Sequence, residues 1–182
     1  MSVVIRDNAR GFTLVELAIV LVVIAFIMAA VLQGQKVYYN AKMNRIVEDM
    51  KGYRQYFLIY YQRWGMYPGD ENDPNFPSGD TYEGNHNGLI DTSSETTNVW
   101  EDLSHALDVV RKGSPVRGGQ YNFSSRDFGF GTRNYISVSN IFNKMAQAID
   151  ARHDDGAYDT GNVQSSAPYD GSDTLITLYW RL

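Results

Sequence analysis

Residues 11–32 read GFTLVELAIVLVVIAFIMAAVL, with one charged side chain, Glu16, near the start of an otherwise apolar run. From Leu17 to Leu32 no side chain is polar. A membrane-crossing helix needs about 20 apolar residues at roughly 1.5 Å of rise each, so this stretch fits one span. A carboxylate inside such a span costs about 2.5–3.5 kcal/mol on insertion scales, so Glu16 calls for a partner. A short polar leader, MSVVIRDNARG, precedes the run. Arg6 and Arg10 flank it on that side, which places the leader in the cytoplasm and the bulk of the chain outside. A signal anchor with a stray glutamate leaves the glycine junction and the position of Glu16 unexplained. A conventional secretory signal would have a shorter apolar region followed by a small-residue cleavage site. Ala25, Ala29 and Ala30 are present, but no polar region follows cleanly.

The leader ending in Gly11, followed by Phe12, Thr13, Leu14, Val15 and Glu16, resembles the class III signal of type IV pilins and of the pseudopilins of type II secretion. The resemblance covers only the first 30 or so residues. It implies cleavage between Gly11 and Phe12 by a prepilin peptidase and N-methylation of Phe12 by the same enzyme. It implies that Glu16 neutralises the Phe12 amine of a neighbouring subunit during assembly on an inner-membrane platform. Opposite charges about 4 Å apart gain roughly 4 kcal/mol at an effective dielectric of 20, which agrees with that role.

The 182 residues suit one globular domain plus an anchor. Mean hydropathy is −0.35 although 43% of residues are hydrophobic, so apolar content is concentrated in the anchor. The leader contributes a net +1, so the remainder of the chain carries −6 against −5 for the whole. That balance argues against nucleic acid as a primary ligand, because non-specific binding there is phosphate neutralisation by Lys and Arg. There is no cysteine. Many major type IV pilins close a C-terminal loop with a disulfide, and this chain must hold its C-terminal region by other means.

The helical pattern does not stop with the apolar run. Residues 33–64 contain no proline, and Val37, Met43, Ile46, Val47, Met50, Tyr53, Phe57, Tyr60 and Tyr61 recur mostly at steps of three or four. One helix is predicted from about Thr13 to about Trp64, some 75–80 Å long, its first half in the membrane and its second half amphipathic. Gly34 and Gly52 weaken it by about 1 kcal/mol each relative to alanine. Three segments follow: a leader at 1–11, an assembly helix at 12–35, and a pilin-like extracytoplasmic head at 36–182 that includes the amphipathic half of the helix. The fold class is α+β, the long helix packing on a small head with short antiparallel strands.

Within the head, Pro68 to Thr97 reads as a long surface loop. A short helix is predicted over Trp100–Val110, with Trp100, Leu103, Ala106, Leu107 and Val110 inward. Strands are predicted near Tyr121–Phe123, Phe128–Phe130 and Tyr135–Val138. Asn140 is read as the cap of a second helix, Ile141 to about Arg152, and Thr174–Leu182 as a final strand.

The loop stretch Glu83-Gly84-Asn85-His86-Asn87-Gly88-Leu89-Ile90 resembles the start of an EF-hand loop, with oxygen donors at alternate positions and glycine at the sixth. Asp91 continues it, and Asp70, Asp73 or Asp80 could complete a different site. Position 1 is glutamate and position 12 is Ser94, with Glu95 one place late. Two readings stay open: Ca2+ held by Glu83, Asn85, Asn87 and Asp91, or a solvated acidic loop. A second acidic group, Asp150, Asp154, Asp155 and Asp159, reads as helix termination and turn chemistry, with metal binding as the alternative. The tyrosines of the helix read as a half-buried packing face, not a conduction path. His86, His105 and His153 are scattered and no nucleophile turn is visible, so no enzyme activity is expected.

The sequence therefore predicts a structural subunit of a type IV pilus-like or type II secretion pseudopilus filament. It would be an inner-membrane precursor that becomes a homo-oligomeric fibre in the periplasm or on the cell surface. A minor subunit that primes the filament, or an anchored binding module that never polymerises, are the alternatives.

Overall fold

The computed structural model describes residues 11–73, 76 and 83–182; the leader with Arg6 and Arg10, and Asp80, lie outside the described residues. Seven elements follow in order: α1 Leu14–Trp64, α2 Ser93–Leu107, β1 Tyr121–Asp127, β2 Thr132–Phe142, α3 Asn143–His153, β3 Val163–Ser165 and β4 Leu175–Arg181. The class is α+β, a long N-terminal helix followed by a small head with an antiparallel sheet. The chain forms two compact units, one ending at Ala41 and the other beginning at Lys42.

In the first unit, α1 exposes every large apolar side chain from Phe12 to Leu32. It is the one helix among the described residues long and apolar enough to cross a membrane. Gly34 does not break it: α1 is continuous for 51 residues.

In the second unit, α1 buries Met43, Ile46, Val47, Met50, Tyr53, Phe57 and Tyr60, the stripe that the three-and-four spacing predicts. Tyr61, expected inward, is 42% exposed. The stripe packs with Val99 and Leu103 of α2 and the inward residues of the sheet into one core. Asp49 is buried with it. Tyr121 Oη donates to its carboxylate at 3.1 Å, and Lys112 Nζ lies 3.3 Å away, so the charge is partnered on entering the core.

The sheet runs β1-β2-β4-β3, all antiparallel. Tyr121↔Val138 and Phe123↔Ile136 set the β1–β2 register, which puts Tyr121, Phe123, Ile136 and Val138 on the core face. Two expectations fail here. Phe128–Phe130 is the hairpin turn, not a strand: Gly129 and Gly131 sit at φ of 88° and 90°, and Asp127 Oδ1 accepts both their N–H groups. Asn140 does not cap a helix. It sits in β2 at φ 54°, where the β2–β4 register shifts, and its amide donates to Gly118 O. Ile141 and Phe142 stay in the sheet opposite Ile176 and Leu175, and α3 begins only at Asn143.

The other helix is also longer at its start than its apolar spacing suggests. Thr92 caps α2 and Glu95 reaches back, a capping box that opens the helix at Ser93. Asp108 ends it in the left-handed conformation, leaving Val110 74% exposed instead of inward. The stretch from Pro68 to Thr97 is accordingly not a surface loop throughout. Asp70 and Glu71 are buried, and its last residues belong to α2.

Candidate functional site

The apolar N-terminal segment begins with a local device. Thr13 stands immediately before α1, and Glu16 is its third residue. Glu16 Oε2 accepts from Thr13 N at 2.8 Å and from Thr13 Oγ1 at 3.0 Å, while Glu16 N donates to Thr13 Oγ1 at 3.2 Å. This is a capping box, in which two orphan donors at a helix start are satisfied reciprocally. The carboxylate is thereby fixed at the positive end of the helix dipole, on the backbone N–H of the residue that follows Phe12. Phe12 and Gly11 are exposed, and Gly11 lies outside the helix. A processing enzyme can reach an extended, unpaired junction of that kind.

The loop before α2 is held by three buried side chains. Asp70 Oδ1 and Oδ2 accept from Asn87 N and Gly88 N at 3.0 and 2.7 Å. Glu95 accepts from Asn85 N, Asp91 N and Thr92 N. Asn134, reaching across from β2, accepts from Ile90 N at 2.8 Å and donates to Gly88 O at 3.0 Å. Burial holds the Asp70 carboxyl above its usual range, while the Gly88 and Asn87 N–H groups oppose that shift. Gly84 is the tight point, since a Cβ there would come within 2.4 Å of the Asp70 backbone.

Of the four residues that the sequence proposes for calcium, three are brought together. Asn85 Nδ2 and Asn87 Nδ2 donate to the two oxygens of Asp91 at 3.3 and 2.9 Å. Those amide bonds, Asn87 first, hold the Asp91 carboxyl below the usual carboxylate range. The amide oxygens of Asn85 and Asn87 accept from Asn87 N and Leu89 N. Glu83 is exposed and stands outside this network. The loop thus closes through its own hydrogen bonds. Sequence reasoning missed Asp70, Glu95 and Asn134 as its supports, although the Thr92-Ser-Ser-Glu95 spacing carries the capping signal for one of them.

The second acidic group gathers Asp150, Asp154 and Asp155, whose carboxylate oxygens lie within 4.8 Å of one another. Asp159 is exposed and not among them. Asp150 is fully buried, with Tyr169 Oη donating to Oδ2 at 2.8 Å and Gly156 N to Oδ1 at 3.1 Å. Burial pushes its carboxyl up to about 6, against the pull of those two donors and with added repulsion from Asp155 and Asp154. Asp154 accepts from Asn162 N and Val163 N, and Asp155 from Ala157 N and Thr160 Oγ1. Each carboxylate is thus built into the turn that connects α3 to β3. His105 is exposed on α2.

Residues 6–32 match the model of the prokaryotic N-terminal methylation motif. No curated protein and no solved structure matches the chain. The matched segment contains the Gly11–Phe12 junction, Glu16 and the apolar start of α1. Residues 6–32 therefore carry a prepilin-type signal of the kind found in type IV pilins and pseudopilins. Membrane association and processing by a peptidase follow from that signal together with the apolar helix.

Proposed function

We propose that this protein is a structural subunit of a type IV pilus-like or type II secretion pseudopilus filament. A prepilin peptidase cuts between Gly11 and Phe12 and methylates the new amine. The subunit then leaves the inner membrane for a homo-oligomeric fibre, on an assembly platform whose motor acts from the cytoplasm. The role needs no catalytic centre.

The observation that carries the reading is the pairing of the exposed apolar first half of α1 with its one carboxylate, fixed at the first turn. In a lone subunit that charge faces lipid. In a fibre a neighbour's Phe12 amine supplies the counter-ion, and the exposed apolar faces of adjacent helices cover one another. Transfer from membrane to fibre is then favoured by removal of an uncompensated charge from lipid.

Glu16→Ala tests this in the native cell. The variant should insert in the membrane as well as the parent, since it sheds a charge, yet assemble little or no filament. Normal filaments that contain the Glu16→Ala chain would show that the pairing is not required, and normal filaments that lack the chain would leave an anchored, non-polymerising module as the better reading.

A further inference from the structure

Away from the apolar N-terminal segment, one open cavity in the head joins Tyr61 and Tyr67 to the loop that Asp70 supports. It measures about 240 Å3 and is lined by Tyr61, Met66, Tyr67, Asp70, His86 and Asn87, among others. Tyr61 and Tyr67 stack with centroids 4.5 Å apart. Tyr67 stacks in turn on Phe57 at 5.1 Å, and Phe57 on Phe123 at 5.4 Å. Ring contacts therefore run from the core to the surface and end in the exposed Tyr61. An aromatic platform braced in this way is already ordered, so little conformational entropy is lost when a ligand covers it.

Asp70 lines the same cavity. Each of its carboxylate oxygens accepts one backbone N–H and the residue is 2% exposed, so Asp70 meets a ligand only along the cavity wall. His86 is held beside it by a backbone hydrogen bond from His86 N to Asp70 O and sits at φ 55°, a conformation that L side chains rarely adopt. Its imidazole is exposed, and in the neutral form offers one donor and one acceptor. Among the described residues no lysine or arginine lines the cavity, so an anionic ligand finds no counter-charge from them.

We propose that this cavity is a saccharide subsite, in which one neutral sugar ring stacks on Tyr61 while its hydroxyls donate to Asp70 and bond to His86. A pyranose presents a face of C–H groups to an aromatic ring and a rim of hydroxyls that both donate and accept. The volume falls below the 300–1,000 Å3 of pockets that enclose drug-sized ligands, so it takes one ring of a glycan and not a whole oligosaccharide. An ammonium group also favours aromatic faces and carboxylates. It would use acceptors alone, leaving the imidazole and phenol donors unmatched.

The test uses the full chain in a polyoxyethylene detergent, which has neither a sugar nor a quaternary ammonium head. Glucose, galactose and N-acetylglucosamine are titrated by ligand-observed saturation-transfer NMR, with tetramethylammonium as the competing probe. At least one sugar should bind saturably. Tyr61→Ala should weaken it by about tenfold or more, and Tyr61→Phe should retain it. His86→Ala, at an exposed position, should also weaken it and serves as the reading if Tyr61→Ala does not fold. Absence of saturable binding by all three sugars, wild-type affinity in these variants, or binding of tetramethylammonium in place of any sugar would overturn the proposal.

Discussion

Asp150→Asn should stabilise the head at neutral pH and lose most of that advantage in acid. Asp150 is fully buried at the end of α3, and its carboxyl is pushed from 3.8 to about 6. Between those two values the folded chain holds a proton that the unfolded chain has released. Stability therefore falls as pH rises through that window, and above about pH 6 the whole cost of the buried charge is present. At 1.36 kcal/mol per unit the cost is about 3 kcal/mol at pH 7.5 and about 1 kcal/mol at pH 4.5. Asparagine keeps the shape and both contacts: its carbonyl can accept from Gly156 N, and its amide can donate to Tyr169 Oη. The gain over wild type should then be about 2 kcal/mol larger at about pH 7.5 than at about pH 4.5, a difference of roughly 4–8 °C in melting temperature. Melting curves of the full chain in detergent at the two pH values give the comparison directly. An advantage that does not change with pH, or a variant less stable than wild type at both, would refute the assignment of a strained, buried charge at Asp150.

Other substitutions test the supports one at a time. Gly84→Ala should destabilise the head by about 1–3 kcal/mol in the same melting assay, because the added Cβ meets the Asp70 backbone at 2.4 Å. A silent Gly84→Ala would mean that the 83–91 loop yields more readily than its hydrogen bonds suggest. Thr13→Val should cost about 0.5–2 kcal/mol of helix-start stability and leave the Glu16 carboxylate with the residue-13 backbone N–H as its one donor, lowering filament yield while leaving cleavage intact. Yield equal to wild type would show that the capping box has no part in assembly. Calcium followed by chelator should leave the melting temperature unchanged, since the oxygens of Asn85, Asn87, Asp91 and Asp70 already receive N–H donors. A calcium-dependent rise would favour the ion-binding reading of the loop.

The parts of this molecule that were legible in its sequence are those governed by periodicity. The apolar run and the three-and-four spacing predicted a helix from about Thr13 to about Trp64, which is α1 (Leu14–Trp64), and its inward stripe from Met43 to Tyr60, because burial of one helix face repeats at a fixed spacing. The β-rich run at Thr174–Leu182 likewise became β4. Where one residue's local role decided the outcome, composition misled. Phe128 and Phe130 look like strand residues, yet the glycines beside them make the turn. Asn140 looks like a cap, yet tertiary pairing of Ile141 and Phe142 with β4 keeps the chain in the sheet for two more residues. The three-residue β3 is too short to show alternation and exists only by pairing with β4. The loop before α2 resembled a string of solvated acids because nothing in sequence shows that Asp70 turns inward to bind backbone N–H groups, and the capping spacing at Glu95 signals a helix start but not the bonds to Asn85 and Asp91.

The central claim is that the chain polymerises through its N-terminal helix after cleavage at Gly11. Mass spectrometry of the subunit in filaments purified from the native cell tests it most directly. The account predicts a chain that starts at Phe12 and carries one methyl group on that residue's amine. Filaments that contain the chain with residues 1–11 still attached, or filaments from which it is absent altogether, would contradict it.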